Sequence, residues 1–183
     1  MFHPTVFDNL KVAFENELYD QDNLDGRILI TGRKDIWDMA VMDREFSVSF
    51  RLTETEWPTA ELKLAAPLKE LAAEILEQEG TVPACGLRVL FHMNIAEAEA
   101  ERSCAAIEAC LCHIWQPENK PIQTLSSVYG DDPAVLLRHT AEISFSRRIN
   151  EEQMEDIPEL VAHIVATLVA LREEPLLQLE PLL

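Results

Sequence analysis

Large apolar residues recur at helical spacing near the start of the chain, and the four that define the pattern are Phe7, Leu10, Phe14 and Leu18. Pro4 fits the first turn of a helix, because a residue there leaves its N–H unpaired and proline has none. Acidic residues, Asn23 and Gly26 come next, and these residue types end helices and form turns. The pattern predicts a first helix with one apolar face, followed by a turn.

The segment over residues 27–54 alternates between apolar and polar positions, which is typical of strands. Turn-forming residues at 32–35 and at 43–45 predict a meander of three strands. The third strand alternates most regularly, and the residues on its apolar face are Phe46, Val48, Phe50 and Leu52. The second strand, residues 36–42, is largely apolar on both faces, so both faces require cover.

Residues 59–66 are ambiguous, because the leucines alternate as in a strand while a helix could also begin at residue 59. Pro67 favours a helix from that position to about Gln78, ended by Gly80. Residues 86–95 predict a further strand, whose apolar face consists of Leu87, Val89, Phe91 and Met93.

The rest of the chain predicts a helix, two strands and a final helix. The helix is rich in cysteine and ends at Trp115, and the two strands cover residues 122–129 and 135–149. Asn150 with Gln153 forms a capping box in the sequence, and the last helix extends to about Glu173.

This order of elements predicts an α+β fold in which about four helices pack on a largely antiparallel sheet of about five to six strands. We expect a single domain over residues 1–183, with an apolar C-terminal tail at residues 174–183. The element order is loosely similar to that of bacterial secretion-chaperone folds, which are also small and acidic. The similarity concerns topology, and it implies at most a chaperone-like form of the functional hypothesis.

Two segments of the chain align with each other at a constant offset of 54 residues, pairing Phe91 with Phe145 and Ile95 with Ile149. The helical parts of the two segments align as well. The alignment reflects either an internal strand–helix repeat or the general likeness of any two amphipathic strand–helix units.

The chain carries 33 acidic and 15 basic residues, so its formal net charge at pH 7 is −18. Such a surface repels phosphate backbones and anionic lipids, so we expect no nucleic-acid partner and no membrane partner. The charge fits either an ordinary acidic protein or a surface that selects a basic partner. The start of the chain lacks the features of a signal peptide, and the longest apolar stretch is too short to span a bilayer. We therefore expect a cytoplasmic location.

Three cysteines and a histidine lie within ten residues, namely Cys104, Cys110, Cys112 and His113. On a helix, Cys110 and Cys112 point in different directions, so they cannot share an ion or form a disulfide. Cys110 and His113 could act together, but a structural zinc needs four ligands. We predict free thiols and no metal site, with Cys104 and Cys110 filling space beside an apolar stripe and Cys112 exposed.

The sequence contains no nucleophile elbow, phosphate-binding loop, dinucleotide-binding fingerprint or zinc-protease motif. The acidic segment from Asp20 to Asp25 fails as a calcium loop, because Leu24 and Asp25 occupy positions that need a ligand and a glycine. His139 falls on the apolar face of its strand, which favours a core residue over a catalytic base. We predict no cofactor and lean against an enzyme.

Two apolar segments are the best candidates for an interaction surface. In the predicted second strand these residues are Trp37, Met39 and Val41, and in the tail they are Leu179 and Leu182. Tryptophan and methionine are enriched at protein interfaces. Helices of the same chain could cover both faces of the strand instead.

The leading hypothesis is therefore a non-enzymatic partner-binding or assembly protein of the bacterial cytoplasm, which associates with itself, with a protein partner, or with both. An alternative of a different class is a small-molecule-binding domain or unrecognised enzyme, with a pocket between sheet and helices near His92, His139 or Cys110. A weaker alternative is a phage or other assembly component that forms rings or larger oligomers.

Overall fold

A computed structural model describes residues 5–77, 79–128 and 136–177 of the chain. Within these ranges the helices are α1 (Val6–Asn23), α2 (Leu68–Ile75), α3 (Ala100–Trp115) and α4 (Ile157–Glu173). The strands are β1 (Ile28–Asp38), β2 (Asp43–Leu52), β3 (Thr59–Ala66), β4 (Gly86–Ala96), β5 (Ile122–Ser126) and β6 (Leu136–Ser144). Short 3-10 turns occupy Glu97–Glu99, Glu151–Asp156 and Pro175–Leu177.

The six strands form one antiparallel sheet in the order β1-β2-β3-β4-β6-β5. Helices α1, α3 and α4 pack on one face of this sheet. The opposite face, which we call the open face, carries mostly polar side chains. The α+β class predicted from the sequence is confirmed.

Alternation along the central strands separates the two faces. The side chains that β2, β3 and β4 turn toward the helices are almost fully buried and include Phe46, Phe50, Leu62, Leu64 and Phe91. Helix α4 buries a matching apolar stripe that contains Val161, Ile164, Leu168 and Leu171. Burial of apolar surface on this one side is the main stabilising contribution to the fold.

The first helix is confirmed, and all four residues of its predicted apolar face are buried. Its start is fixed by Thr5, whose hydroxyl accepts a hydrogen bond from the Asp8 backbone N–H at 3.2 Å. The Asp8 carboxylate accepts in turn from the Thr5 N–H at 3.3 Å, which completes a capping box. Pro4 lies outside the described residues.

The predicted meander of three strands is wrong. The segment forms two strands, because Gly32 and Asp35 lie inside β1 and residues 39–42 make the only turn of the β1–β2 hairpin. Gly32 marks a register shift after Ile30, and that shift produced the signal of a turn. The polar residues that follow are kept in the strand by ion pairs with α1, which a local pattern does not reveal.

The ambiguous residues 59–66 form strand β3, which pairs with β2 on one side and β4 on the other. Helix α2 ends at Ile75, earlier than predicted, and Gly80 has the positive φ of a turn residue. Strand β5 ends at Ser126 and β6 at Ser144, so both are shorter than predicted; residues 129–135 lie outside the described part of the chain.

The 54-residue alignment corresponds to structure only in its helical half. Ile107 and Leu111 of α3 are buried like Val161 and Val165 of α4. In the other half, Phe145 and Ile149 come after the end of β6, whereas Phe91 and Ile95 lie within β4. The aligned strand positions from Phe91 onward are therefore not structurally equivalent.

We expect Phe50→Ala to lower the free energy of unfolding by about 3–5 kcal/mol, because it removes a fully buried aromatic side chain from the centre of the core. The matched control is Ser49→Ala, which alters the preceding residue, whose side chain lies on the open face. It should lower the free energy of unfolding by less than about 1 kcal/mol. Urea denaturation of both variants measures the difference. Equal effects would contradict the assignment of the two faces.

Candidate protein-interaction surface

The tip of the β1–β2 hairpin exposes a group of large apolar side chains. The exposed fractions are 48% for Ile36, 50% for Trp37, 73% for Met39 and 53% for Val41. The sequence placed Trp37, Met39 and Val41 on one face of a strand. The structure brings them together at a turn instead, because residues 39–42 reverse the chain and Met42 adopts a positive φ. We call residues 36–42 the hairpin tip.

Arg44 fastens this hairpin to the first helix. Its Nη1 atom donates to the Asp8 carboxylate at 2.7 Å, and its Nε atom approaches the Asp35 carboxylate at 3.4 Å. The guanidinium carbon lies 4.5 Å from the ring centroid of Phe7 and 5.7 Å from that of Trp37. Arg44 therefore combines ion pairs with cation–π contacts and connects the exposed Trp37 ring to Phe7 of α1 through its guanidinium group.

Asp35 is held from the helix side as well, since Lys11 donates to its carboxylate at 2.9 Å. Burial raises the pKa of Asp35, but the hydrogen bonds and charges of Lys11 and Arg44 outweigh burial and leave the pKa below its usual value. The carboxylate thus stays ionised and keeps both basic groups in place.

Two further aspartates order the turn itself. Asp38 accepts a hydrogen bond from the Ala40 N–H at 2.9 Å, which closes the turn locally. Asp43 accepts from the Leu68 N–H at 3.1 Å and so connects the start of β2, next to the turn, to the start of α2. The exposed apolar tip is therefore supported on both sides by fixed structure.

A surface groove of about 430 Å³ lies beside the tip, where β1, β2, β3 and β4 end. Its apolar lining consists of Ile36, Val41, Ala65, Ala66 and Pro67. Charged side chains at its edge include Asp38, Glu45 and Arg88. Tip and groove form one continuous surface with a projection and a depression side by side.

The centre of the open face has a different character, because its charges pair with one another. Lys63 lies 3.6 Å from both Glu45 and Glu61. Arg88 lies 3.3 Å from Glu45 and 3.9 Å from Glu142. These pairs lie within β3 or join it to β2, and join β4 to β6 and, across β3, to β2, which gives a largely self-neutralised surface.

His92 extends this network across three strands. Its Nδ1 atom lies 3.0 Å from the Thr140 hydroxyl, and its Nε2 atom lies 3.3 Å from the Glu61 carboxylate. The hydrogen bond from His92 lowers the pKa of Glu61 to about 2, against the effect of burial and with help from Lys63. We call Glu61, His92 and Thr140 the row, and none of its residues lines any of the five grooves described.

The row was missed in the sequence because its members lie 31 and 48 positions apart. Strand alternation alone places each residue on the polar face of its own strand. Only the register between β3, β4 and β6 makes them neighbours, and no sequence pattern specified that register.

Two thiols of α3 pack beside the core, as the spacing of the cysteines in the sequence indicated. Cys104 and Cys110 are half-buried and pack against the core beside Ile107. Burial raises the pKa of both thiols, and it raises the pKa of the fully buried Cys85 to about 12. Cys112 is half-buried, less exposed than expected. Across the described residues, no group of three or more His, Cys, Asp or Glu side chains could hold a metal ion.

His139 is a buried core residue, as its place on the apolar face predicted. Gln123 donates through its Nε2 to the Cys104 carbonyl, so its Oε1 accepts from the Nε2–H of His139 at 2.7 Å. Among the described residues, no hydrogen-bond partner reaches the Nδ1 atom of His139. Burial first, and then the charge of His92, lower the pKa of His139 to about 4.

The start of the C-terminal tail packs on the molecule. Leu177 contacts the core and lines a groove with Trp57, Met93 and Arg172. Leu179 and Leu182, the other predicted interface residues, lie outside the described residues.

No helix in the described part of the chain is long and apolar enough to cross a membrane. Comparison of the chain with protein-family models, with curated proteins and with solved structures gave no match. The hairpin tip and its groove therefore have to be interpreted from their own geometry.

We expect Arg44→Met to loosen the hairpin, because it removes the charge that Asp8 and Asp35 share while keeping most of the apolar stem. The free energy of unfolding should fall by about 1–2 kcal/mol. Hydrogen exchange of the backbone amides at 37–43 should become faster. Arg102→Met, which removes an exposed ion pair on α3, is the control and should leave exchange at the tip unchanged.

We expect stability to decrease as the pH falls from 6.5 toward 4, because His139 binds a proton more weakly in the folded chain than in the unfolded chain. The folded state is fully stabilised above pH 6.5, and the loss reaches about 3 kcal/mol near pH 4. Urea midpoints between those pH values measure the slope. His139→Leu should flatten it, whereas His113→Leu, at an exposed position, should not. A slope unchanged in His139→Leu would show that other groups cause the loss.

Proposed function

We propose that this protein is a non-enzymatic partner-binding or assembly protein of the cytoplasm, and that it binds protein through the hairpin tip and the adjacent groove. The observation that carries the proposal is a rigidly supported turn with four large apolar side chains at least about half exposed. Exposed apolar groups of this kind mark interaction sites when they form a contiguous patch.

The support beneath the tip favours binding over accidental exposure. Arg44, Asp35 and Asp43 hold the hairpin in one arrangement before any partner arrives. A pre-ordered surface loses little conformational entropy on association, so more of its contact energy remains as affinity. Trp37 and Met39 are also residue types that commonly contribute strongly at interfaces.

The alternative of a small-molecule site or an enzyme receives less support. The buried titratable residue His139 bonds to Gln123 inside the core, and none of the five grooves described is lined by His92, His139 or Cys110. The third hypothesis, an assembly component that forms larger oligomers, would involve the same hairpin tip. It differs from the leading proposal only in the number of copies that associate.

The test is to place a photo-reactive amino acid at position 39 and to irradiate the protein in cells of its own source. We expect defined cross-linked protein species, because Met39 is the most exposed of the large apolar side chains of the tip. The control carries the same amino acid at position 24, since Leu24 is 78% exposed and follows α1 at the opposite end of the hairpin. Identical products at both positions, or none at position 39, would refute partner binding through the tip.

A further inference from the structure

We infer that the partner of the hairpin tip is a second copy of this chain, with Met39 of each copy seated in the groove of the other. The inference rests on the proposed function and adds the identity of the occupant. A twofold contact of this kind requires one surface that contains both a projection and a matching depression.

The tip and the groove meet that requirement within one molecule. Met39 projects from the turn and is 73% exposed, while the groove beside it is lined by apolar side chains such as Ala65 and Pro67. The tip and the groove lie side by side on one molecule. A twofold axis relating two copies would therefore allow the Met39 side chain of each copy to enter the groove of the other. Val41 and Ile36, which line the groove and are half-exposed themselves, would be covered in the same contact.

Two copies of this acidic chain repel each other, and this end is where the repulsion is smallest. The end is defined here as residues 33–45 with the groove residues 65–67 and Arg88. Its basic residues are Arg33, Lys34, Arg44 and Arg88, and its acidic residues are Asp35, Asp38, Asp43 and Glu45. The formal charges of these residues sum to zero, and the α1 side chains paired with them, Asp8, Lys11 and Glu15, add −1. The end is therefore nearly neutral, and almost all of the net charge of −18 lies on the rest of the chain.

Two copies can thus meet at this end with little local repulsion, whereas most other approaches bring acidic surfaces together. A basic partner, by contrast, would be drawn to the acidic remainder and not to a neutral apolar end. The two cases differ in their response to salt. Screening should strengthen the association of two acidic copies and weaken the binding of a basic partner.

The contact is small, so we expect a weak dimer with a dissociation constant in the micromolar range. Sedimentation velocity of the purified chain, over about 1 to 200 µM, should show a monomer–dimer equilibrium. Raising NaCl from about 20 to about 500 mM should lower the dissociation constant roughly tenfold. Met39→Asp should be monomeric at every salt concentration, and Leu24→Asp should behave as the wild type.

A disulfide trap tests the geometry of the contact. Met39→Cys and Ala65→Cys are prepared separately, mixed and oxidised, and the peptides are analysed by mass spectrometry. The expected product is a bridge between position 39 of one copy and position 65 of the other. Met39→Cys mixed with Leu24→Cys is the control, and it contains the same native cysteines.

Three results would overturn the inference: a monomer at all concentrations and salts, a dimer that salt weakens, or a dimer that Met39→Asp leaves intact. A monomeric purified chain whose position 39 still cross-links to a different protein in cells would refute the second copy and retain partner binding. No cross-link at position 39 in cells would refute both.

Discussion

Burial of one face of the sheet is the constraint from which the rest of the structure follows. Phe46 and Phe50 of β2, with Leu62 of β3 and Phe91 of β4, turn toward the helices and are almost completely excluded from water. Three helices are needed to cover that surface, so the charged and polar residues of the same strands are left facing outward. The open face is thus a consequence of the core, and its ion pairs make that outcome compatible with water.

The hairpin tip is the exception to this division. Along most of β2, alternation sends apolar side chains inward and polar ones outward, but around residues 36–42 apolar groups are exposed on both sides of the hairpin. On the helix side, Arg33, Asp35 and Arg44 bind α1 through charge, where an ordinary core would use apolar contact. This segment directs charged side chains toward α1 and exposes large apolar side chains to solvent. Its apolar groups therefore add little stability through burial within their own chain. That inversion is the physical reason for proposing that the segment takes part in association.

Sequence patterns predicted the parts of the fold that depend on local periodicity. The apolar face of α1, the alternation of β2 and β4 and the capping box at Asn150 all follow from residues close together in the chain. The long strand β1 was divided wrongly because Gly32 gives the same local signal for a register shift as for a turn. What keeps β1 extended is its contact with α1, through Lys11 and Glu15, and that contact is invisible to a short window.

The sequence predicted which apolar residues belong to the candidate surface, but not how they are arranged in space. Trp37, Met39 and Val41 attracted attention because both sides of their segment were apolar, and that property persists in the structure. Their grouping at a turn, the groove next to them and the Arg44 anchor all require β1, β2, β3 and α1 to be in place. The row of Glu61, His92 and Thr140 has the same origin, since pairing across strands creates it.

The strong net charge and the exposed apolar tip are best understood together. An apolar turn on a neutral protein invites non-specific aggregation, because any approach that buries it is favourable. Here most of the net charge of −18 lies away from the hairpin tip, so two copies repel each other before their tips can make contact. On the proposed self-association, an approach that brings the two hairpin tips together has the smallest repulsion to overcome. In that proposal the acidic surface opposes every approach between copies but opposes this one least, so it would select one orientation, which an apolar patch alone could not do.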